Sequence, residues 1–167
     1  MKNLLFLLAI LVGINSMVFS QETQKPLQSP RVTAEGKNVK ISYGQPSKRG
    51  RVIFGQKEPY GKVWRTGANE ATEVTFAKDG TFGGKPVKAG TYTLFTIPGE
   101  KEWSVILNSE LKQWGAYKYD QSKDVLQVTV PATTISGPPV EKLTITFPEN
   151  KFVLEWDQTR VEVPMKF

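Results

Sequence analysis

Apolar and polar side chains alternate along most of this chain, in short runs closed by Gly, Pro, Asn or Asp. That is the pattern of strands with one buried face. Val39, Ile41 and Tyr43 alternate with Lys40 and Ser42, and Thr72, Val74 and Phe76 share a phase. Asp79-Gly80 is a hairpin signal, Gly83-Gly84-Lys85-Pro86 a second turn and Ala89-Gly90 a third. Thr91 to Ile97 is a β-branched and aromatic strand ended by Pro98-Gly99, and Trp103, Val105 and Leu107 form its partner across Pro98–Lys101. Val125 to Val130 follows as a strand, with Ile135 to Pro139 as a breaker. Leu143, Ile145 and Phe147, then Phe152, Leu154 and Trp156, then Val161, Val163 and Met165 each keep one phase. No run sustains a helical period; only Ser109 to Tyr117 has room for a helical turn, which Gly115 limits. Roughly eight to ten strands at about ten-residue spacing predict an all-β fold. The expected architecture is a single antiparallel β-sandwich over residues 30–167, with a closed β-barrel as the alternative.

The N-terminus breaks this pattern. Lys2 precedes an apolar run from Leu4 to Ile14, of signal-peptide length and shorter than the ~20 residues that span a bilayer. Val18 and Ser20 place compact residues at −3 and −1 of a cleavage site before Gln21. Residues 1–20 are therefore expected to be a signal peptide, with an uncleaved anchor as the alternative. Residues 21–29, polar and containing Pro26, read as a flexible lead-in. The expected mature chain is exported, periplasmic or secreted, with no transmembrane segment, and long enough for one domain with its own core.

Composition narrows the chemistry. The chain has no Cys, so no disulfide and no lipid-attachment cysteine; burial alone must hold it together. It has no His, which removes the commonest general base and metal ligand. Ser–His–Asp and Cys–His catalysis are excluded, as are ordinary zinc and copper sites. No cofactor or metal is expected; the acids around Asp120, Asp124 and Asp157 lack a calcium-loop pattern.

Charge then singles out one stretch. Lys48, Arg49, Arg51, Lys57, Lys62 and Arg65 face a single acid, Glu58. Outside this stretch and the first 20 residues, the 15 basic and 15 acidic residues cancel. Tyr43, Phe54, Tyr60 and Trp64 are interleaved with the cations. A cation-rich, aromatic loop in an otherwise neutral β protein is a candidate working surface for an anionic ligand such as a uronic or sulfated glycan or a phosphate. Aromatics among basic residues also suit single-stranded nucleic acid, but export argues against that partner.

Several segments resemble a known family: SPRVTAEGKNVKISYGQPSKRGR, IFG, PYGKVWRTGANEAT, GKPVKAGTYTLFTIPGEKEWSVILN and VLQVTVP. They are similar to DUF2911, exported proteins found mainly in Bacteroidetes-type bacteria, over about Ser29 to Pro131. The most specific stretch is Trp64 to Glu70, WRTGANE. The resemblance implies export; no activity is assigned to the family, so it carries over no catalytic or binding residue.

Within WRTGANE, extending the phase of Thr72, Val74 and Phe76 back by two residues turns Glu70 inward. An inward carboxylate needs a partner, and Arg65 is the nearest cation in sequence. Arg65, Asn69 and Glu70 are thus either a brace that pins the loop or fixed polar groups offered to a ligand. Tyr60 and Trp64 are candidate stacking platforms, and Lys48, Arg49 and Arg51 candidate anion contacts. Trp103 and Trp156 fall in core phases, whereas Trp114, near Tyr117 and Tyr119, is the tryptophan expected to be exposed. Three functions compete: a binding module for a polar, anionic or carbohydrate ligand through residues 48–70; a structural or partner-binding envelope domain; and a hydrolase using Glu70 as its carboxylate.

Overall fold

Period-two patterning produces strands almost wherever it occurs. A computed structural model describes residues 29–167, so the expected signal peptide and nearly all of the lead-in lie outside the described residues. The described strands are β1 (Arg31–Gly36), β2 (Val39–Gly44), β3 (Thr72–Phe76), β4 (Gly80–Phe82), β5 (Lys85–Val87) and β6 (Gly90–Ile97). They continue as β7 (Glu102–Asn108), β8 (Asp124–Thr134), β9 (Val140–Thr146), β10 (Lys151–Asp157) and β11 (Thr159–Lys166). Among the described residues there is no α-helix; Gln121–Lys123 and Pro148–Asn150 form single 3₁₀ turns. Ser109–Tyr117, the segment with room for a helical turn, does not form one.

All ladders between these strands are antiparallel and belong to one sheet, in the order β1-β2-β3-β6-β7-β8-β11-β10-β9. The sheet rolls until its ends meet. Beyond β2, Ser47 bridges to Lys142, and Lys48 and Leu143 donate to Glu141 O and Pro46 O. The antiparallel all-β class is as expected. The two packed layers are halves of a single sheet, nearly closed into a barrel. Its interior holds Ile41, Val74, Phe76, Trp103, Val105, Leu107, Phe152, Leu154, Trp156 and Val161, whose alternation is legible in the sequence, together with Phe82 and Leu94.

One turn differs from expectation. Asp79-Gly80 does not close a two-stranded hairpin, because β3 pairs with β2 and β6 while β4 pairs with β5 and β11. Asp79 instead accepts hydrogen bonds from Ala89 N and Lys88 Nζ, at 2.8 and 2.7 Å. The tight hairpin is at Gly83-Gly84, both at positive φ, between Phe82 and Lys85.

Strands β6 and β7 are buried on both faces. Phe95 and Ile106 point away from the interior into a second small cluster with Ala71, covered by Val63, Ile97, Ala116 and Tyr119. The segment from Glu110 to Tyr119 therefore lies outside the barrel wall.

Candidate functional site

Lys48 to Arg51 is a tight turn. Arg51 N donates to Lys48 O at 3.1 Å, and Arg49 and Gly50 between them have φ of 50° and 70°. Positive φ at both central positions marks a mirror-image turn that favours glycine. Side chains lock it: Arg51 Nε donates to Lys48 O at 2.9 Å and Arg51 Nη2 to Ser47 O at 2.6 Å. The turn is also tied to the far edge of the sheet, where Arg49 N donates to Glu141 Oε1 at 2.9 Å. Lys48 Nζ pairs with Asp157 Oδ1 at 3.2 Å and donates to Arg51 O at 2.6 Å.

The next loop folds over an apolar pin. Ile53 and Phe54 are buried, and Phe54 meets Trp64, Trp103 and Trp156 edge-on, with centroids 5.8, 4.6 and 6.0 Å away. Burying these rings supplies much of what fixes a charged, glycine-rich loop. Glu58 N donates to Ile53 O at 2.9 Å, which draws the loop's single carboxylate in beside the pin.

WRTGANE is held by backbone-to-backbone contact. Trp64 exchanges two hydrogen bonds with Thr96, of 2.7 and 2.9 Å, and Ala68 N donates to Gly44 O at 3.1 Å. Thr66 is fully buried at φ 57°; its O accepts from Thr72 Oγ1 at 2.8 Å and its hydroxyl meets Thr96 Oγ1 at 3.1 Å. Gly67 packs against Gly44, where an added Cβ would stand 2.9 Å from Gly44 O.

These three segments enclose a cavity of about 150 Å³, walled by Pro46, Ser47, Gly67, Ala68 and Trp156 and by the side chains of Arg49, Arg51, Lys57, Glu58 and Arg65. Among the described residues, four cations and one carboxylate line it. Glu58 is 15% exposed, and Lys57 Nζ lies 3.5 Å from its Oε1. Burial pushes the Glu58 carboxyl above its ordinary value, against the opposing pull of Lys57, Arg65 and Arg51. Arg65 has no such anchor. Its Nε is buried without a hydrogen-bond partner, and among the described residues its guanidinium makes neither hydrogen bond nor ion pair. An arginine so placed adds a permanent positive charge to the wall of a cationic cavity.

The expected sites sort accordingly. Arg49, Arg51 and Arg65 come together at the cavity. Lys48 lies behind it, committed to Asp157. Trp64 is a core residue, 5.8 Å from Trp156 and nearly parallel to it, with its indole N–H donating to Gly67 O. Tyr60 is exposed and covers Gly55, away from the cavity lining. Asn69, at φ 63°, donates to Ser29 O at 3.2 Å.

The expected Arg65–Glu70 pairing does not form. Glu70 is 53% exposed, and the cation near it is Arg31, at 3.8 Å. The inward phase of β3 stops at Thr72: Ala71 joins the outer cluster, and Glu70 pairs its backbone with Trp114. Strand β3 begins only at Thr72, so its alternation does not extend to Glu70. Glu58, in contrast, is the carboxylate that reaches the cavity. Its lone position among cations was the available signal, and the Ile53-Phe54 pin is what sequence alone does not reveal.

The model of the family described as "Protein of unknown function (DUF2911)" matches residues 25–165. The chain belongs to this family. No curated protein and no solved structure matches it. The DUF2911 match spans every residue of the cavity wall.

Proposed function

We propose that this DUF2911 protein is an exported binding module whose cationic cavity receives one small anionic group, a phosphate, sulfate or carboxylate, free or carried on a larger ligand. Arg65 is the observation that carries this reading: a guanidinium in the cavity wall that makes no hydrogen bond or ion pair among the described residues. A volume of about 150 Å³ is below the range of pockets that enclose a whole drug-sized molecule, ~300–1,000 Å³. It suits a single oxyanion. Arg49, Arg51 and Lys57 supply the surrounding field, and planar Arg65 supplies directional donors.

The experiment is calorimetric titration of the full mature chain with inorganic phosphate, sulfate and galacturonate at low and high salt. At least one of these anions is expected to bind, more weakly as salt rises, with affinity at least about tenfold lower in Arg65→Met. Absence of binding by all three at low salt, or binding unchanged in Arg65→Met, overturns the reading.

A further inference from the structure

The segment from Glu110 to Tyr119 is fastened to the barrel wall at many points, yet turns large rings outward. Thr93 Oγ1 donates to Glu110 O at 2.6 Å, and Glu110 N to Asn108 Oδ1 at 3.0 Å. Lys112 N donates to Glu73 Oε1 at 2.9 Å. Ala71 N donates to Gln113 O at 2.8 Å and Gly115 N to Asn69 O at 3.0 Å, making a short ladder around the Glu70–Trp114 bridge. Tyr119 packs edge-on against Phe95, with centroids 5.1 Å apart, and donates to Asp124 Oδ2. With Ala116 and Tyr119 anchored inward, Trp114 is left 61% exposed and Tyr117 83% exposed, with Leu111 beside them. Gly115 is at φ 67°, and a Cβ there would stand 2.7 Å from the Tyr117 ring, so the glycine is what lets that ring lie across the loop.

These side chains, with Glu110, Lys112, Gln113 and Lys118, border a cavity of about 400 Å³. The volume lies within the ~300–1,000 Å³ of small-molecule sites. Gln113 forms part of the wall: 8% exposed, it donates through Nε2 to Glu110 O at 3.0 Å, while its Oε1 is out of solvent and accepts nothing among the described residues. An aromatic platform on a fastened loop, rimmed by lysines and a glutamate, suits an occupant with an apolar face and hydroxyl edges.

We infer that the Glu110–Lys118 loop is a carbohydrate-binding site that stacks a pyranose ring of a neutral β-linked glucan or xylan on Trp114. Equatorially substituted pyranoses present axial C–H groups to an aromatic face and hydroxyls around the edge. The hydroxyls supply partners for Lys112, Lys118 and Glu110. Three exposed side chains fall short of the ~800 Å² per partner of a standard protein interface, which favours a sugar over a second copy of the chain or another protein. Arg65, which lines the cationic cavity, also reaches this loop, its Nη1 3.5 Å from the Cβ position of Gly115.

The tryptophans make the test selective. Trp64, Trp103 and Trp156 are buried, so Trp114 is the one that a neutral quencher reaches. Acrylamide quenching of the full mature chain is measured with increasing cellotetraose and xylotetraose. At least one tetrasaccharide is expected to reduce the quenching constant about twofold or more, saturably, with Kd on the order of 1 mM. Calorimetric binding of that sugar is expected to weaken at least about tenfold in Trp114→Ala and to recover in part in Trp114→Phe, both with unchanged melting temperature. Quenching unaffected by both tetrasaccharides overturns the proposal. So does shielding of Trp114 that follows protein concentration instead of sugar, which would identify a second copy as the occupant. Because both probes are uncharged, neither result bears on the anion reading.

Discussion

Lys48 and Asp157 form an ion pair of 3.2 Å in which both side chains are largely out of solvent, 16% and 19% exposed. The pair joins the turn after β2 to the end of β10, closing the rolled sheet where its backbone ladder is thinnest. Lys48 Nζ also holds Arg51 O, so one ammonium fixes both the seam and the turn that carries Arg49 and Arg51.

Removing one partner leaves the other poorly solvated. Lys48→Met is therefore expected to lower stability by about 1–3 kcal/mol, between the values for exposed and fully buried pairs. Urea unfolding of Lys48→Met, Asp157→Asn and the double variant measures the coupling. Additive losses would show that the two residues act independently.

Arg65 is expected to behave in the opposite way. With no hydrogen bond or ion pair to lose among the described residues, and with its stem volume retained by Met, Arg65→Met should shift stability by less than about 0.5 kcal/mol. A brace would have cost more. Glu70→Ala should be equally mild, since its contact with Arg31 is 3.8 Å and both side chains are substantially exposed. Chemical denaturation of the two variants checks both expectations, and a loss above about 1 kcal/mol in Arg65→Met restores the brace.

The contrast between Glu58 and Glu70 marks how far the sequence is legible. Alternation identified the strands and nearly all of the interior, because burial on one face of a strand leaves a period of two. It failed at Glu70, which lies two residues before β3 begins. It was silent on Glu58, whose place depends on two apolar neighbours, Ile53 and Phe54, finding the tryptophan cluster across the barrel. The cluster Lys48–Arg51 was visible as charge, but not its division into one structural lysine and two arginines that line the cavity. The exposure of Trp114 was legible, since no strand phase claimed it. The segment around it has room for a helical turn but forms none, because backbone bonds with Asn69 and Ala71 and a bond from Lys112 N to the Glu73 carboxylate hold it against the sheet.

Glu58 should make stability and anion affinity depend on pH in the same sense. Burial raises its carboxyl above the ordinary value of 4.5, so the folded state holds the proton more tightly than the unfolded chain does. The resulting stabilisation is fully present below pH 4.5 and is lost as pH rises through the elevated folded value. At pH 7 the ionised carboxylate therefore costs stability, and Glu58→Gln is expected to melt higher than wild type, with the difference closing below about pH 4.5. The same substitution removes the one negative charge from the cavity wall, so anion affinity at pH 7 should rise. Thermal melts of both proteins between about pH 4 and 8 decide the first point. A Glu58→Gln protein less stable at pH 7 would mean that the Lys57 contact outweighs desolvation.

Gly44 tests whether the cavity wall depends on close backbone packing. It ends β2 opposite Arg31, and its O accepts from Ala68 N. A Cβ added there would stand 2.0 Å from Ala68 O and 2.8 Å from Ala68 C, both backbone atoms that no side-chain rotation can move aside. Gly44→Ala must therefore push the Gly67-Ala68 segment away from β2, at a cost of about 3 kcal/mol. That segment is part of the cavity wall, so anion affinity should fall together with the unfolding midpoint. Gly50→Ala provides the comparison. Its added Cβ meets nothing within 4 Å and acts only through the positive φ of 70°, for a loss of about 1 kcal/mol. If the two variants unfold alike, the contact between Gly44 and Ala68 is looser than its geometry requires, and the wall is not set by it.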